Sequence, residues 1–193
     1  MKPFPRVSIQ TGDFDVSVEI AALRAGDNRV GAVCSFIGTV RDRTVAPTLP
    51  AARGSLHPQG VLAPWGGPAE QVAPTLPEPK RPILSLELEH YAGMTERSIE
   101  AMIDAAHQRF DILGARVVHR VGLLQPADQI VLVVVTSAHR GESFQACEFL
   151  MDYLKTQAPF WKKEATAEGA RWVDARVSDD AALARWGIVA NNA

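Results

Sequence analysis

The stretch IVLVVVTSAHRGESFQACEFLMDYLKTQAPFWKKE, Ile130–Glu164, decides how the chain is expected to fold. It opens with a run of apolar, largely β-branched residues, which is typical of a buried strand. A polar turn follows, and then an apolar pattern of helical period that must end before Pro159, because the residue preceding proline avoids the helical conformation. Phe160–Glu164 is predicted to be extended again. Strand, helix and strand therefore form a scaffold that carries a concentrated set of basic residues.

Length, charge and hydropathy limit the class of protein. The chain has 193 residues, 47% of them hydrophobic, so residues 1–193 are expected to form one domain with one buried core. The net charge of −2 argues against a general nucleic-acid-binding protein, which would carry a basic excess. No run reaches the ~18 apolar residues of a membrane span, and the first residues show no apolar signal segment. A cytoplasmic protein without a membrane anchor is expected.

On both sides of the central stretch, hydrophobic periodicity predicts alternating strands and helices. Asp13 or Asp15 is expected to cap the first helix, and Thr95 the second. Gly31 and Gly38 are weak points in a strand that otherwise reads as largely buried, which indicates a bulge or a close backbone approach. The predicted strands are Val7–Gln10, Val30–Val40, Ile83–Tyr91, Arg116–Val121, Gln129–Thr136, Phe160–Glu164 and Arg171–Ala175, and the main helices start near Val16, Thr95, Gly141 and Asp179.

A proline-rich segment interrupts this order between residues 44 and 80. It contains eight prolines and four glycines in 37 residues, and it repeats the hexapeptide VAPTLP at Val45–Pro50 and Val72–Pro77. Neither a helix nor a sheet ladder can run through so many prolines, because each removes a backbone donor and fixes φ. We therefore predict an extended or disordered insertion at 44–80.

The order of elements favours an α+β fold. Hairpin-like strand pairs alternate with helices, which predicts a mixed or mostly antiparallel sheet flanked by helices rather than a doubly wound parallel sheet. The chain contains neither GxGxxG nor GxxxxGK[ST], so no nucleotide-binding fingerprint supports the parallel alternative.

Six basic residues are candidates for a site that binds a small anion. His139 and Arg140 directly follow the most apolar strand, at a strand-to-helix turn where free backbone N–H groups and side chains meet anions, although a polar surface turn explains them equally simply. If the six side chains converge, we expect the ligand to be an anion such as a phosphate ester, bound by arginine forks. Spacing alone does not show that they converge. The set is Arg41, His139, Arg140, Lys155, Lys162 and Arg176.

Each of the two lysines also has a structural explanation that requires no function. Lys155 lies in the last turn of its predicted helix, where the helix dipole favours a cation. Lys162 follows Phe160 and Trp161, and a lysine beside aromatic surface loses solvation, which makes it a better base or nucleophile; a lysine that merely lays its stem along apolar surface is the alternative. Lys163 is predicted to lie on the opposite face of the same strand.

Other nucleophile and metal chemistry is not indicated. Ser143 lacks a GxSxG context, and Cys147 falls on the apolar face of its helix, so neither is expected to be a nucleophile. Cys34 and Cys147 have no CxxC spacing, and the histidines show no ligand spacing, so reduced core cysteines, no protein-held metal and no cofactor are expected.

Five segments of the sequence resemble the catalytic (large) subunit family of molybdopterin synthase. The resemblance runs from about residue 7 to 187 and is interrupted by the proline-rich segment. The long LKTxAPFWKxE motif is its most specific part. The segments are SFIGTVRD at Ser35–Asp42, LELEHYAGMTE at Leu86–Glu96, SAHRGESF at Ser137–Phe144, MDYLKTQAPFWKKE at Met151–Glu164 and RWVDAR at Arg171–Arg176.

The resemblance implies an α/β hammerhead-type fold with an antiparallel sheet and a homodimer at the centre of a heterotetramer. Each large subunit is expected to bind one small ubiquitin-like sulfur-carrier subunit, whose C-terminal Gly-Gly tail enters a pocket as a thiocarboxylate. The implied activity is that of a sulfurtransferase: sulfur passes to cyclic pyranopterin monophosphate (precursor Z), and two transfers build the dithiolene of molybdopterin. A short loop stands in the family where this chain has residues 44–80.

The family's site residues match positions in this chain one by one. Its two active-site lysines match Lys155 and Lys162. Its His-Arg pair matches His139 and Arg140, and its two strand-end arginines match Arg41 and Arg176, the last of which is implied to reach the neighbouring protomer. Lys155 would stabilise the thiocarboxylate, Lys162 would move a proton, and the other four would hold the phosphate and pterin.

Two other functions stay open from the residues alone. One is an acyl- or phosphoryl-handling enzyme that uses Lys162 and His139 without a protein sulfur carrier. The other is a non-catalytic module that binds a ubiquitin-like tail. Turnover with a thiocarboxylated carrier and precursor Z separates the three.

Overall fold

The structure, a computed structural model, describes residues 4–42, 82–173 and 185–187. Within these ranges eight strands and three helices alternate as β-α-β-β-α-β-β-β-α-β-β. Their bounds are β1 Val7–Gln10, α1 Val16–Leu23, β2 Ala32–Thr39, β3 Ser85–His90, α2 Met94–Arg109, β4 Ile112–Arg120, β5 Gly122–Leu124, β6 Gln129–Ser137, α3 Arg140–Gln157, β7 Phe160–Thr166 and β8 Gly169–Val173.

The strands form two four-stranded sheets. The first has the order β1-β4-β6-β2 and the second the order β5-β3-β7-β8. Only the β1–β4 pair is parallel among the described strands; the other ladders are antiparallel. The α+β class and the mostly antiparallel pairing are therefore confirmed, with the strands divided between two sheets instead of one.

The first sheet is covered on both faces, which explains the apolar run of β6. Val131, Val133 and Val135 face the cluster built by α2 and α3, whereas Leu132 and Val134 face the cluster that α1 covers. Because side chains alternate between the two faces of a strand, a strand buried on both faces needs apolar residues at every position. Val131–Val135 are all at most 7% exposed, and so they form the centre of the core.

The burial of strand β2 differs from the prediction. The sequence predicted a largely buried strand, but β2 is the edge of the first sheet, and Val33, Phe36 and Ile37 are 37–39% exposed. Its composition is that of a core strand, but β2 has only one neighbouring strand, β6, among the described residues, and these apolar side chains stay partly exposed. The predicted irregularity at Gly38 is confirmed, since the register against β6 shifts between Gly38 and Thr39.

Helix starts and turns show further differences. Asp15 caps α1 as predicted, its carboxylate accepting from two backbone N–H groups. Thr95 was predicted to cap α2, but Gly93 is the cap, and Glu96 accepts a hydrogen bond from the Gly93 N–H instead. The short strand β5 was missed, because the sequence reads as a loop around Pro126.

Two predictions lie outside the described residues. These are the proline-rich insertion at 44–80 and most of the C-terminal helix predicted to start at Asp179. Residues 185–187 form a turn, in which the Trp186 indole N–H donates to Asp152 on α3 over 2.8 Å.

Gly31 is required by a close approach between backbones. Its N–H donates to the Ser137 carbonyl over 3.0 Å, and a Cβ at this position would lie well inside van der Waals contact of the Ala138 carbonyl oxygen. We expect Gly31→Ala to lower the free energy of unfolding by about 1–3 kcal/mol, because a backbone atom must move. Gly141→Ala is the matched control: nothing lies within 4 Å of its added Cβ, and its stability should be unchanged or higher. Urea denaturation of both variants checks this; equal stabilities would contradict it.

Candidate functional site

A cavity of about 310 Å³ lies where the C-terminal end of α3 meets the second sheet. Its walls are mainly apolar side chains from β2, β3, β6 and α3, together with Gly38. Three polar side chains reach it, namely Lys155, Lys162 and His119. The LKTxAPFWK spacing thus places its two lysines at one cavity, although they belong to a helix and to the strand that follows it.

Lys155 is the more solvent-exposed of the two lysines. It lies on the last turn of α3, at the end where the helix dipole favours positive charge. Its side chain is exposed and forms no ion pair with another described residue. The same ammonium also borders a neighbouring cavity of about 360 Å³ that includes Cys34 and Met151. Lys155 is therefore placed to meet an anion that enters either cavity.

Lys162 is held by a buried carboxylate. Its Nζ lies 2.8 Å from Glu164 Oε1, and Glu164 is 3% exposed. Both side chains point to one face of β7, two residues apart, as the period of a strand requires. The other carboxylate oxygen has no hydrogen-bond partner among the described residues, and the nearest cation, Arg171, is 3.7 Å away. Burying a carboxylate is costly unless it is paired, so Glu164 fixes the Lys162 ammonium tightly.

Lys163 lies on the opposite face of β7, as predicted. Its Nζ is 3.6 Å from Glu87 and 5.5 Å from the centre of the Trp172 ring. This lysine therefore belongs to the outer face of the second sheet and not to the cavity.

His119 at the end of β4 completes the polar lining. Its ring stacks on Phe160 with a centroid distance of 3.8 Å and an interplanar angle of 16°. Its Nδ1 lies 2.8 Å from the Arg120 carbonyl oxygen, which can only accept, so Nδ1 carries the proton. Burial lowers the pKa of His119 to about 4, so that the imidazole is neutral near pH 7.

The predicted His-Arg pair lies at the other end of α3. His139 is the N-cap and Arg140 the first residue of this helix, and both are exposed. Sixteen residues separate His139 from Lys155, which at 1.5 Å per residue is about 24 Å. A small molecule cannot touch both groups within one chain.

The two predicted arginines fall in different places. Arg41 follows β2 and is exposed; it lies three residues after Gly38, which lines the lysine cavity, so it is at the same end of the molecule. Arg176 is outside the described residues. The structure thus brings Lys155 and Lys162 together, with Arg41 nearby and the His-Arg pair apart.

The sequence reasoning missed two residues of the site: His119, which lines the cavity, and Glu164, which contacts Lys162. Glu164 ends the LKTxAPFWKxE motif, and its i+2 spacing from Lys162 in a predicted strand was a usable signal. His119 follows a strand of valines, and nothing local distinguishes it from a surface histidine, since Phe160 reaches it from 41 positions away.

The cysteines and histidines do not form a further reactive centre in the described residues. Cys147 is buried; burial first, and the neighbouring Cys34 second, raise the pKa of its thiol to about 12. No group of three or more His, Cys, Asp or Glu side chains in the described ranges is arranged to hold a metal ion. Among the same residues, no helix has both the length and the apolar character needed to cross a bilayer.

The fold and the cavity together define an α+β protein in which two lysines line one small, mainly apolar cavity. The MoaE protein family model matches residues 76–157. The molybdopterin synthase catalytic subunit of Ralstonia nicotianae is 53% identical over 189 residues, 98% of this chain and 88% of its own. That of Vibrio cholerae is 42% identical over 94% of this chain and 97% of its own. The solved molybdopterin biosynthesis MoaE protein of Burkholderia ambifaria has 44% identity and a TM-score of 0.68, and the match covers 96% of this chain and 99% of that one.

The chain belongs to the MoaE family of molybdopterin synthase catalytic subunits. The family resemblance drawn from the sequence motifs is thereby confirmed.

The buried partner of Lys162 gives a test of the cavity's chemistry. We expect Glu164→Gln to lower the turnover number about tenfold or more, because the ammonium loses the charge that holds it in place. Carrier affinity should change little. Glu87→Gln is the matched control, since Glu87 pairs with Lys163 on the outer face. Steady-state turnover and carrier binding are measured for both variants. A Glu164→Gln turnover number like that of the control would contradict this role.

His119 makes stability depend on pH in a defined window. Its pKa is about 4 in the folded chain and 6.5 when unperturbed, so the unfolded chain binds more protons between these values. Its contribution is fully present above pH 6.5 and is lost as the pH falls toward 4, with an upper limit of about 3 kcal/mol. Denaturation at pH 7 and pH 4.5 should show a smaller loss for His119→Gln than for the wild type. Equal losses would contradict the shift.

Proposed function

We propose that the chain is the catalytic subunit of molybdopterin synthase and acts as a sulfurtransferase. In this proposal, a small ubiquitin-like carrier presents a thiocarboxylate at its C-terminal Gly-Gly tail, and its sulfur passes to precursor Z to build the molybdopterin dithiolene. The observation that carries the proposal is the pair Lys155 and Lys162 at one small, mainly apolar cavity. The chain is proposed to act as one domain, residues 1–193, in the cytoplasm.

The cavity suits an anionic chain terminus. Its walls are mainly apolar, and once a bound tail shields the cavity from water, an ammonium there stabilises negative charge far more than it does in solvent. Lys155, which has no described ion-pair partner, would neutralise the thiocarboxylate and the charge that develops when water displaces the transferred sulfur from the carbonyl carbon and leaves a carboxylate on the carrier. Lys162, fixed by Glu164, would give or take the proton that sulfur addition and ring opening require.

A second copy of the chain would complete the site. His139 and Arg140 lie about 24 Å from Lys155 along α3, so they can serve the same substrate only from another protomer. The exposed edge of β2, with Val33, Phe36 and Ile37, is the kind of apolar surface that oligomers bury. We therefore propose a homodimer within a heterotetramer that includes two carriers.

In this arrangement the anion-binding side chains come from both protomers. Arg41 approaches from the same chain as the lysines, whereas His139, Arg140 and Arg176 arrive from the neighbour. Arginine forks suit the phosphate of precursor Z because they bind two oxygens at once.

Turnover by the full chain tests the proposed function. The purified chain is mixed with a small carrier subunit that bears a C-terminal thiocarboxylate and with precursor Z, and molybdopterin is quantified. Product and desulfurised carrier are expected in a ratio of one to two. Carrier binding without product would favour a non-catalytic module, and neither binding nor product would favour an enzyme that uses no protein carrier.

A further inference from the structure

His119 is the only side-chain hydrogen-bond acceptor that lines the lysine cavity within the described residues. The other polar lining groups are Lys155 and Lys162, and a lysine ammonium only donates. The remaining lining residues are apolar or glycine. A ligand that brings its own N–H group into this cavity therefore has one side chain to donate to.

The acceptor atom of His119 is defined by its contacts. Nδ1 donates to the Arg120 carbonyl, so the lone pair is on Nε2. Stacking on Phe160 holds the plane of the ring. Nε2 has no hydrogen-bond partner among the described residues, yet it is not among the fully buried side-chain atoms left unpaired there, so it keeps some accessible surface on a ring that lines the cavity. Because the imidazole is neutral near pH 7, this lone pair is free to accept.

The two strands of the second sheet that line the cavity, β3 and β7, offer few backbone acceptors. Strand β7, which carries Lys162, is paired with β3 on one side and β8 on the other. Strand β3 is paired with β7 and β5. Their carbonyl groups are engaged in these ladders, and an amide N–H buried without an acceptor is costly.

We propose that His119 Nε2 accepts a hydrogen bond from a peptide N–H of the carrier tail and so sets how deeply the tail enters the cavity. This inference rests on the proposed function and extends it to one specific contact. A cavity of about 310 Å³ with apolar walls fits a narrow backbone with small side chains, whose anionic end meets the two lysines. His119 is then a positioning residue for the reacting terminus.

A double-mutant cycle between the chain and the tail tests this contact. Semisynthetic carriers replace each of the last two amide bonds in turn by an ester, which removes the N–H without adding bulk; an ester well upstream is the control. In the chain, His119→Phe keeps an aromatic ring against Phe160 but has no acceptor, and His119→Gln supplies an amide oxygen. Carrier affinity and turnover are measured for every combination.

We expect one of the two esters to weaken binding to the wild-type chain about tenfold, and His119→Phe to weaken binding of the all-amide carrier by a similar factor. The two changes together should cost no more than either alone, because they remove the same hydrogen bond. His119→Gln should recover part of the loss. A merely structural histidine would give additive losses that are the same for all carriers.

The outcomes separate this contact from the proposed function. Failure of the wild-type chain to turn over the all-amide carrier overturns the function and the contact with it. Normal turnover with additive losses, or full binding of both terminal esters by the wild-type chain, overturns the contact alone. The ester arm uses the wild-type chain, so it can overturn the contact even if His119→Phe does not fold, and the cycle with His119→Gln then assigns the acceptor.

Discussion

Lys162→Ala is expected to lower the turnover number at least about 100-fold while carrier affinity falls no more than about tenfold. The ammonium is one of two cations at the cavity, and removing a single group that stabilises developing charge or moves a proton typically costs two to four orders of magnitude. A cavity of about 310 Å³ holds only the end of a tail, so we expect most carrier contacts to lie outside it and binding to survive. Lys155→Ala is expected to show a loss of the same order, for the same reason.

Lys163→Ala is the matched control for this prediction. It removes a neighbouring lysine from the same strand, but its ammonium contacts Glu87 and Trp172 on the outer face. Turnover of this variant should be near that of the wild type. Near-normal turnover by both Lys155→Ala and Lys162→Ala would rule out the lysine cavity as the reaction site.

Mixing two inactive variants should restore activity if the site is shared between protomers. Lys155→Ala and Arg140→Ala are each expected to be inactive as pure homodimers. In a mixed dimer, one site contains both substitutions and the other contains neither, so a randomised equal mixture should recover about a quarter of the wild-type activity. The measurement is turnover after the subunits are exchanged by mild denaturation and refolding.

The control for this experiment is a mixture of Lys155→Ala with Lys162→Ala. These two lysines line the same cavity of one chain, so no mixed dimer has an intact site and the mixture should stay inactive. If Lys155→Ala and Arg140→Ala also stay inactive together although mixed dimers form, the His-Arg pair does not act on a neighbouring protomer's cavity.

Local pattern was sufficient for most of the fold. Val131–Val135 is apolar at every position because the strand is buried on two faces. The helix that follows is apolar at helical spacing because it is buried on one face. Both patterns can be recognised without tertiary information. The edge position of β2 could not be predicted, because burial of an apolar strand depends on which neighbours it receives. The N-cap of α2 was misplaced by two residues because the Glu96 carboxylate accepts from the Gly93 N–H, and the Thr95 hydroxyl does not serve as the cap.

Only part of the site could be predicted from the sequence, because some of its residues meet only through contacts between distant strands. Lys155 and Lys162 are close in sequence and are brought together by one turn, so their spacing held the necessary information. His119 reaches the cavity through pairing between distant strands and stacking on Phe160, neither of which has a local signature. The distance between His139 and Lys155, in contrast, follows from helix length alone and could have been derived from the predicted helix at 141–157.

A crystal structure of the full chain bound to its carrier tests the central claim most directly. The measured quantity is the distance from the carrier's C-terminal carboxylate to the lysine ammonium groups. We expect the tail to end in the cavity with its carboxylate within about 4 Å of Lys155 Nζ or Lys162 Nζ, a distance typical of an ion pair. A tail that ends elsewhere, for instance at the N-terminal end of α3 beside Arg140 of the same chain, would contradict the account.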